Sequence, residues 1–183
     1  SEGWDIVKDK ITQTRQMVMN ILFHSKKRTP ECSDIPLIDL VNEAVSTIQL
    51  KLDRDDIHVT MDIDAPDTPL HIDKMALLAA LRSLLENAAD ACRKTGRPGV
   101  ITITSRIEKQ RLQLMIRDNG KGLAPDKAAK IFDLFYSDKG NKGTGLGLFI
   151  AKRSIEQHHG KISVESEESR FTTFTISLPV QGG

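Results

Sequence analysis

Residues 73–94 read DKMALLAALRSLLENAADACRK, and this stretch decides how the rest of the chain must pack. Leu77, Leu78, Leu81, Leu84, Leu85, Ala88 and Cys92 recur at helical spacing, so they form one apolar stripe on a helix over residues 74–94. Asp73 stands at the N-cap, where a carboxylate accepts from the first unpaired N–H groups, and Gly96, Pro98 and Gly99 end the helix. A stripe that broad requires an apolar partner surface. On another side Ser83, Asn87, Asp90 and Lys94 follow one another at intervals of four, three and four, so they share a polar face. Taken alone, that face is either solvated or ligand-bearing.

The partner surface is a sheet. Ile57, Val59, Met61 and Ile63 alternate with polar residues, as a half-buried strand does, and residues 64–69 make a turn. Residues 100–107 and 112–117 give two more strands, with a polar turn between them. A short helix near 126–131, a glycine-bearing stretch, a helix over 146–157 ending at Gly160, and strands at 162–166 and 172–178 complete the chain. Upstream, residues 37–52 read as a helix with Leu37, Leu40, Val41, Ala44, Val45 and Ile48 on one face, and the proline-bearing segment 29–36 as a linker. From Trp4 to Lys27, Ile6, Val7, Ile11, Met17, Val18, Ile21 and Leu22 predict a long helix, about 36 Å at 1.5 Å per residue. The expected architecture is a two-layer α/β (α+β) sandwich, a mixed sheet covered by helices on one face, preceded by that long helix.

Composition narrows the function. Lys and Arg number 26 against 25 Asp and Glu, a net charge of +1, which argues against nucleic-acid binding through phosphate neutralisation. Cys32 and Cys92 have no CxxC or Cys/His companion, and two free thiols in a reducing compartment is the favoured reading over a disulfide. No run reaches the ~18 apolar residues of a membrane span and no signal peptide opens the chain, so a cytoplasmic location is expected. A helical pattern already under way at the first residues suggests a piece of a longer protein, with an upstream membrane anchor left open.

Two further clusters carry chemistry. Asp118-Asn119-Gly120-Lys121-Gly122 directly follows an apolar strand, where a carboxylate can accept from an exocyclic amine and glycines let a flat ligand approach the backbone. A plain β-turn is the bland alternative. Gly140-Asn141-Lys142-Gly143-Thr144-Gly145-Leu146-Gly147 runs into a helix, whose free N–H groups and dipole favour phosphate. It matches neither GxxxxGK[ST] nor GxGxxG after a strand, and a loop without ligand is its alternative. Order and spacing join the three clusters: Asn87, then Asp118, then Gly143.

LLENAADA, DNGKGL, IFDLFYSDKG and GTGLGL, in this order, resemble the asparagine, first glycine, phenylalanine and second glycine boxes of the histidine-kinase ATP-binding domain, within the GHKL superfamily. HHGKISVES and TTFTISLP are similar to its closing strands, and the likeness covers residues 37–180. The ILFHSK run resembles the second helix of the dimerisation and phosphotransfer hairpin. The resemblance implies a division into a hairpin remnant (1–28), a linker (29–36) and a catalytic domain (37–183). It implies ATP and Mg²⁺ as ligands, with Asn87 holding the metal and Asp118 accepting from the adenine amine, helped by Thr173. Gly120 and Gly122 would let the base pack. A mobile lid over residues 135–145 would bring Tyr136 and Lys139 to the nucleotide, and Gly143, Thr144, Gly145, Leu146 and Gly147 to its phosphates. Asp90 belongs to the same cofactor-binding set.

Two positions depart from the family pattern. Ser83 replaces a second asparagine or, in the ATPases, a catalytic glutamate, so efficient hydrolysis is not expected. Asp90 replaces a lysine, and its charge beside a triphosphate needs a cation, for which Lys94, Lys139 and Lys142 are the candidates. Lys139 and Glu86 are the catalytic candidates, although a helical neighbour of Asn87 points about 100° away from it. His24, His58, His71, His158 and His159 lack the phosphoacceptor setting. The implied reaction is transfer of the ATP γ-phosphoryl group to a histidine outside this chain. The implied partners are that acceptor helix, a response-regulator receiver domain and a second copy of the full-length protein. An ATP-driven conformational switch and a non-catalytic nucleotide sensor are the rival readings.

Overall fold

The structure, a computed structural model, describes residues 29–137 and 145–180 together with Lys10 and Thr14. The helix expected over residues 4–27 otherwise lies outside the described residues, as do Lys139, Gly143 and Thr144 of the expected lid. In chain order the elements are β1 (Ser33–Pro36), α1 (Leu37–Ser46), α2 (Gln49–Arg54), β2 (Ile57–Ile63), β3 (Pro69–Ile72), α3 (Lys74–Arg93), β4 (Gly99–Glu108), β5 (Arg111–Asp118), α4 (Pro125–Ala128), α5 (Gly147–Gln157), β6 (Lys161–Glu167) and β7 (Phe171–Pro179).

The main sheet has the order β2-β4-β5-β7-β6. β2 runs parallel to β4, and the remaining pairs are antiparallel. Alternation puts Ile101, Ile103, Leu112, Leu114, Ile116, Phe174, Ile176 and Leu178 on one face, all buried. Helices α1, α3 and α5 cover that face and share its core. On α3, Leu77, Leu81, Leu84 and Leu85 are at most 2% exposed, each burial being worth about 1.5–3 kcal/mol. The opposite sheet face is polar. Arg117 lies there, its guanidinium 3.7 Å from the Phe171 ring centroid and its Nη1 donating to Thr173 Oγ1 at 3.1 Å.

The expected mixed sheet and one-sided helical layer are therefore present, with three differences. Residues 37–52 form two helices rather than one. Ser46 Oγ and Thr47 Oγ1 donate to the Glu43 and Ala44 carbonyls, a local competition with the helix ladder that ends α1 before Ile48. Ser33–Pro36, expected as linker, is a strand paired antiparallel with Pro69–Ile72, whose first residue closes the expected turn. Both strands are four residues long and proline-bearing, too short for a periodic signal. The third difference is the register of β7 at the site, described below.

The ends of α3 and α5 are tied together. Asp73 caps α3 by accepting from Ala76 N at 3.1 Å. Its own backbone N–H donates to His158 Nε2 at 2.9 Å, so Nδ1 carries the proton and donates to the Ser154 carbonyl at 2.6 Å. His158 thus does more than end its own helix: it fixes α5 against α3, the two helices that flank the cleft.

Candidate functional site

A cleft of about 360 Å³ opens between the polar face of α3, the end of β5, the start of α5 and the residues flanking 138–144. Its floor is apolar, from Leu123, Ile131, Leu148 and Phe174. Ser83, Glu86, Asn87, Asp90 and Lys94 all line it, so the polar face of α3 looks into a cavity. Apolar floor and a few polar walls are the composition of a small-molecule site.

Asn87 Nδ2 donates to the Ser83 carbonyl at 2.9 Å, one turn back along α3, which turns the amide oxygen away from that carbonyl. Glu86 is engaged elsewhere, its Oε1 2.9 Å from Arg82 Nε. Asp90 Oδ1 lies 2.6 Å from Lys51 Nζ of α2. Lys51 is thus a cation beside Asp90 additional to the three candidates; of those, Lys94 lines the same cleft, and Lys139 and Lys142 lie outside the described residues. Nothing in the local pattern around Lys51 signals this contact, because it depends on the break between α1 and α2.

Asp118 closes the far end. It is 1% exposed, its Oδ1 accepts from Gly120 N at 2.9 Å, and its carboxyl also accepts from the Thr172 backbone N–H. Burial pushes this carboxyl up to about 7, against the opposing pull of those two N–H groups and of Arg117. Gly120 packs on α3: a Cβ there would lie 2.6 Å from Ala91 Cβ. Gly122 has φ +63°, and a Cβ there would run into the Glu167 carbonyl. Only glycine satisfies both demands.

Thr172, not Thr173, faces the cleft. Thr172 pairs with Asp118 across β5 and β7 and lies on the same sheet face, whereas Thr173 pairs with Arg117 on the other. One residue of register moves a side chain to the opposite face. Thr172 Oγ1 sits 3.0 Å from Ser166 Oγ, which accepts from Leu123 N at 2.9 Å and holds the loop after Asp118.

At the other end of the cleft, Phe135 N donates to the Gly145 carbonyl at 3.1 Å. Both residues are left-handed, at φ 67° and φ 64°, and a Cβ on Gly145 would collide with the Phe135 backbone. This contact joins the described residues on either side of 138–144. Tyr136 lines the cleft, Gly147 starts α5 there, and Leu146 is buried. A Cβ at Gly147 would lie 2.6 Å from Ser83 Oγ, so the N-terminus of α5 meets α3 at Ser83.

Two residues to which the sequence assigns no role support the site. Asn119 Oδ1 accepts from Val100 N at 2.9 Å and its Nδ2 donates to the Pro98 carbonyl at 3.0 Å. Arg97 Nη2 lies 2.5 Å from the Asn119 carbonyl and also approaches those of Ser169 and Arg170, pinning the loop after Asp118 to the β6–β7 turn. Cys92 sits beneath, its thiol pushed up to about 11 by burial, and both cysteines are free thiols. Among the described residues no helix is long and apolar enough to cross a membrane.

Known proteins resemble this chain in sequence and in fold. Sensor protein RprX of Bacteroides fragilis is 29% identical over 96% of the chain and 35% of its own length. Methanogenesis regulatory histidine kinase FilI of Methanothrix harundinacea is 35% identical over 77% of the chain and 16% of its own length. The chain thus spans about a third or less of these curated relatives. The nucleotide-free catalytic domain of histidine kinase ThkA superposes with a TM-score of 0.73 at 28% identity, over 82% of this chain and 96% of that one. ThkA in complex with response regulator protein TrrA gives 0.77 at 25% identity, over 96% of this chain and 50% of that one. The family model described as histidine kinase-, DNA gyrase B-, and HSP90-like ATPase matches residues 72–182, more than half of the chain, and the chain belongs to that family.

Proposed function

We propose that this chain is the ATP-binding catalytic part of a two-component sensor histidine kinase, and that it transfers the ATP γ-phosphoryl group to a histidine outside the chain. The observation that carries the reading is the convergence of Asn87, Asp118 and the Phe135–Gly145 contact on one cleft. Asp118, held by Gly120 N and Thr172 N, accepts from the adenine amine. Gly120 and Gly122 keep the backbone clear of the base. The start of α5 at Gly147 directs N–H groups and the helix dipole toward the phosphates.

Mg²⁺ fits the donor set. Among the described residues no three His, Cys, Asp or Glu side chains converge as a metal cluster. A dication that keeps several waters and is held by substrate phosphates needs only one or two protein oxygens, and the Asn87 amide supplies one. When bound, Mg²⁺ would neutralise charge on the transferring phosphoryl group. The protein's own share is positioning and electrostatics. Ser83 lies where a hydrolase of this fold carries a glutamate base and cannot itself activate water, while Glu86, the remaining base candidate, is paired through one oxygen with Arg82.

Incubation with γ-labelled ATP and the acceptor helix of the full-length protein tests the reading. Label appearing on the acceptor histidine supports it. Steady phosphate release without acceptor would indicate an ATPase switch, and nucleotide binding without transfer a sensor module. A response-regulator receiver domain as partner is part of the same proposal, supported by the complex recorded for ThkA with response regulator protein TrrA; a homodimeric full-length protein is proposed with it.

A further inference from the structure

The cleft wall contains a charge that opposes its proposed ligand. Along α3 the cleft extends from Lys94 to Ser83, beside Gly147, about 16 Å at 1.5 Å per residue. Asp90 lies within that span, one turn past Asn87, and lines the same cleft. A fixed carboxylate there repels any polyphosphate laid along the wall. Lys51 reaches it from α2, with Nζ 2.6 Å from Asp90 Oδ1 and 3.3 Å from the Glu86 carbonyl. The two side chains are 24% and 19% exposed, so solvent and salt screen the pair far less than a surface one. Arg54 and Arg93 line the same small pocket as Lys51 and Asp90, with Arg54 Nε 3.0 Å from Asp55 Oδ1; Lys51 is the cation in direct contact with the Asp90 carboxylate.

We propose that Lys51 is a positioning residue for the nucleotide phosphates, acting through Asp90: it neutralises that carboxylate, so that a polyphosphate can lie along the wall. This inference rests on the nucleotide reading above and deepens it. A purely structural tie between α2 and α3 would affect every ligand of the cleft equally. An electrostatic one affects ligands in proportion to their phosphate charge.

Calorimetric titration of ATP, ADP and adenosine into the wild type, K51M, K51R, D90N and K51M/D90N separates the two. K51M should weaken ATP about tenfold and ADP less, with adenosine within about twofold, since a charge effect grows with ligand charge. K51R should stay close to the wild type. K51M/D90N should recover most of the ATP affinity, because the Asp90 charge no longer opposes the phosphates. Equal loss of adenosine and ATP in K51M, or no recovery in the double variant, would overturn the proposal. Should K51M not fold, D90N and K51M/D90N carry the same test: equal ATP affinities support it, and a further loss in the double variant overturns it. A wild type that binds none of the three ligands would sink the nucleotide reading itself, a result distinct from either.

Discussion

Gly120 N donates to Asp118 Oδ1 at 2.9 Å, and the same glycine is pressed so closely on Ala91 that it has no room for a side chain. The acid at the end of β5 is therefore fixed by the backbone that brings the loop onto α3. Its position relative to Asn87 is set by the fold and needs no ligand to form.

Asp118→Asn should abolish measurable adenine-nucleotide binding, a loss of about 100-fold or more, because an amide N–H would then face the adenine amine. The fold should survive. Burial opposes the charge of Asp118 in the free protein, so the variant should melt no lower than the wild type at pH 8. Calorimetric titration and thermal melting check the two halves, and unchanged affinity would refute the adenine assignment.

The raised carboxyl of Asp118 also predicts a pH dependence. Its folded value, about 7, lies above the unfolded one, so the folded state holds the proton more tightly. The stability this contributes is fully present below the unfolded value and is lost as pH rises through about 7. Binding runs the other way, since the amine requires the carboxylate. Adenosine affinity should fall about tenfold per pH unit below about 7, and adenosine rather than ATP is the probe because it has no phosphate titrating in that range. Flat adenosine binding from pH 5 to pH 8 would contradict this.

Asn87→Ala should remove the magnesium dependence of ATP binding, a metal-linked loss of the order of tenfold or more, while adenosine binding stays unchanged. Titrations with and without magnesium read this directly.

Gly122→Ala should destabilise the fold by more than about 1 kcal/mol, because the residue is left-handed and its Cβ position is taken by the Glu167 carbonyl. Urea melting measures the change, and a neutral variant would show that the β6–β7 turn yields more readily than its contacts suggest.

The leucine stripe of α3, its Asp73 cap and the period-two strands were legible in the sequence, because each is a local pattern enforced by burial. The grouping of Asn87, Asp118, Gly120, Gly122, Tyr136, Gly145 and Gly147 was legible through motif order, although no single motif required it. What was not legible is tertiary. Thr172 replaces Thr173 in the cleft through the β5–β7 register, which no property of the TTF run reveals. Lys51 reaches Asp90 only because side-chain hydrogen bonds at Ser46 and Thr47 break one expected helix into two. Arg97 and Asn119 act on backbone carbonyls and N–H groups of other segments, contacts that leave no periodic trace.

The structure of the chain with a non-hydrolysable ATP analogue and magnesium tests the central claim most directly. The account predicts the adenine amine on Asp118, the metal on the Asn87 amide oxygen and the phosphates beside Gly145 and Gly147. An analogue bound outside this cleft, or seated in it with its base away from Asp118, would contradict it.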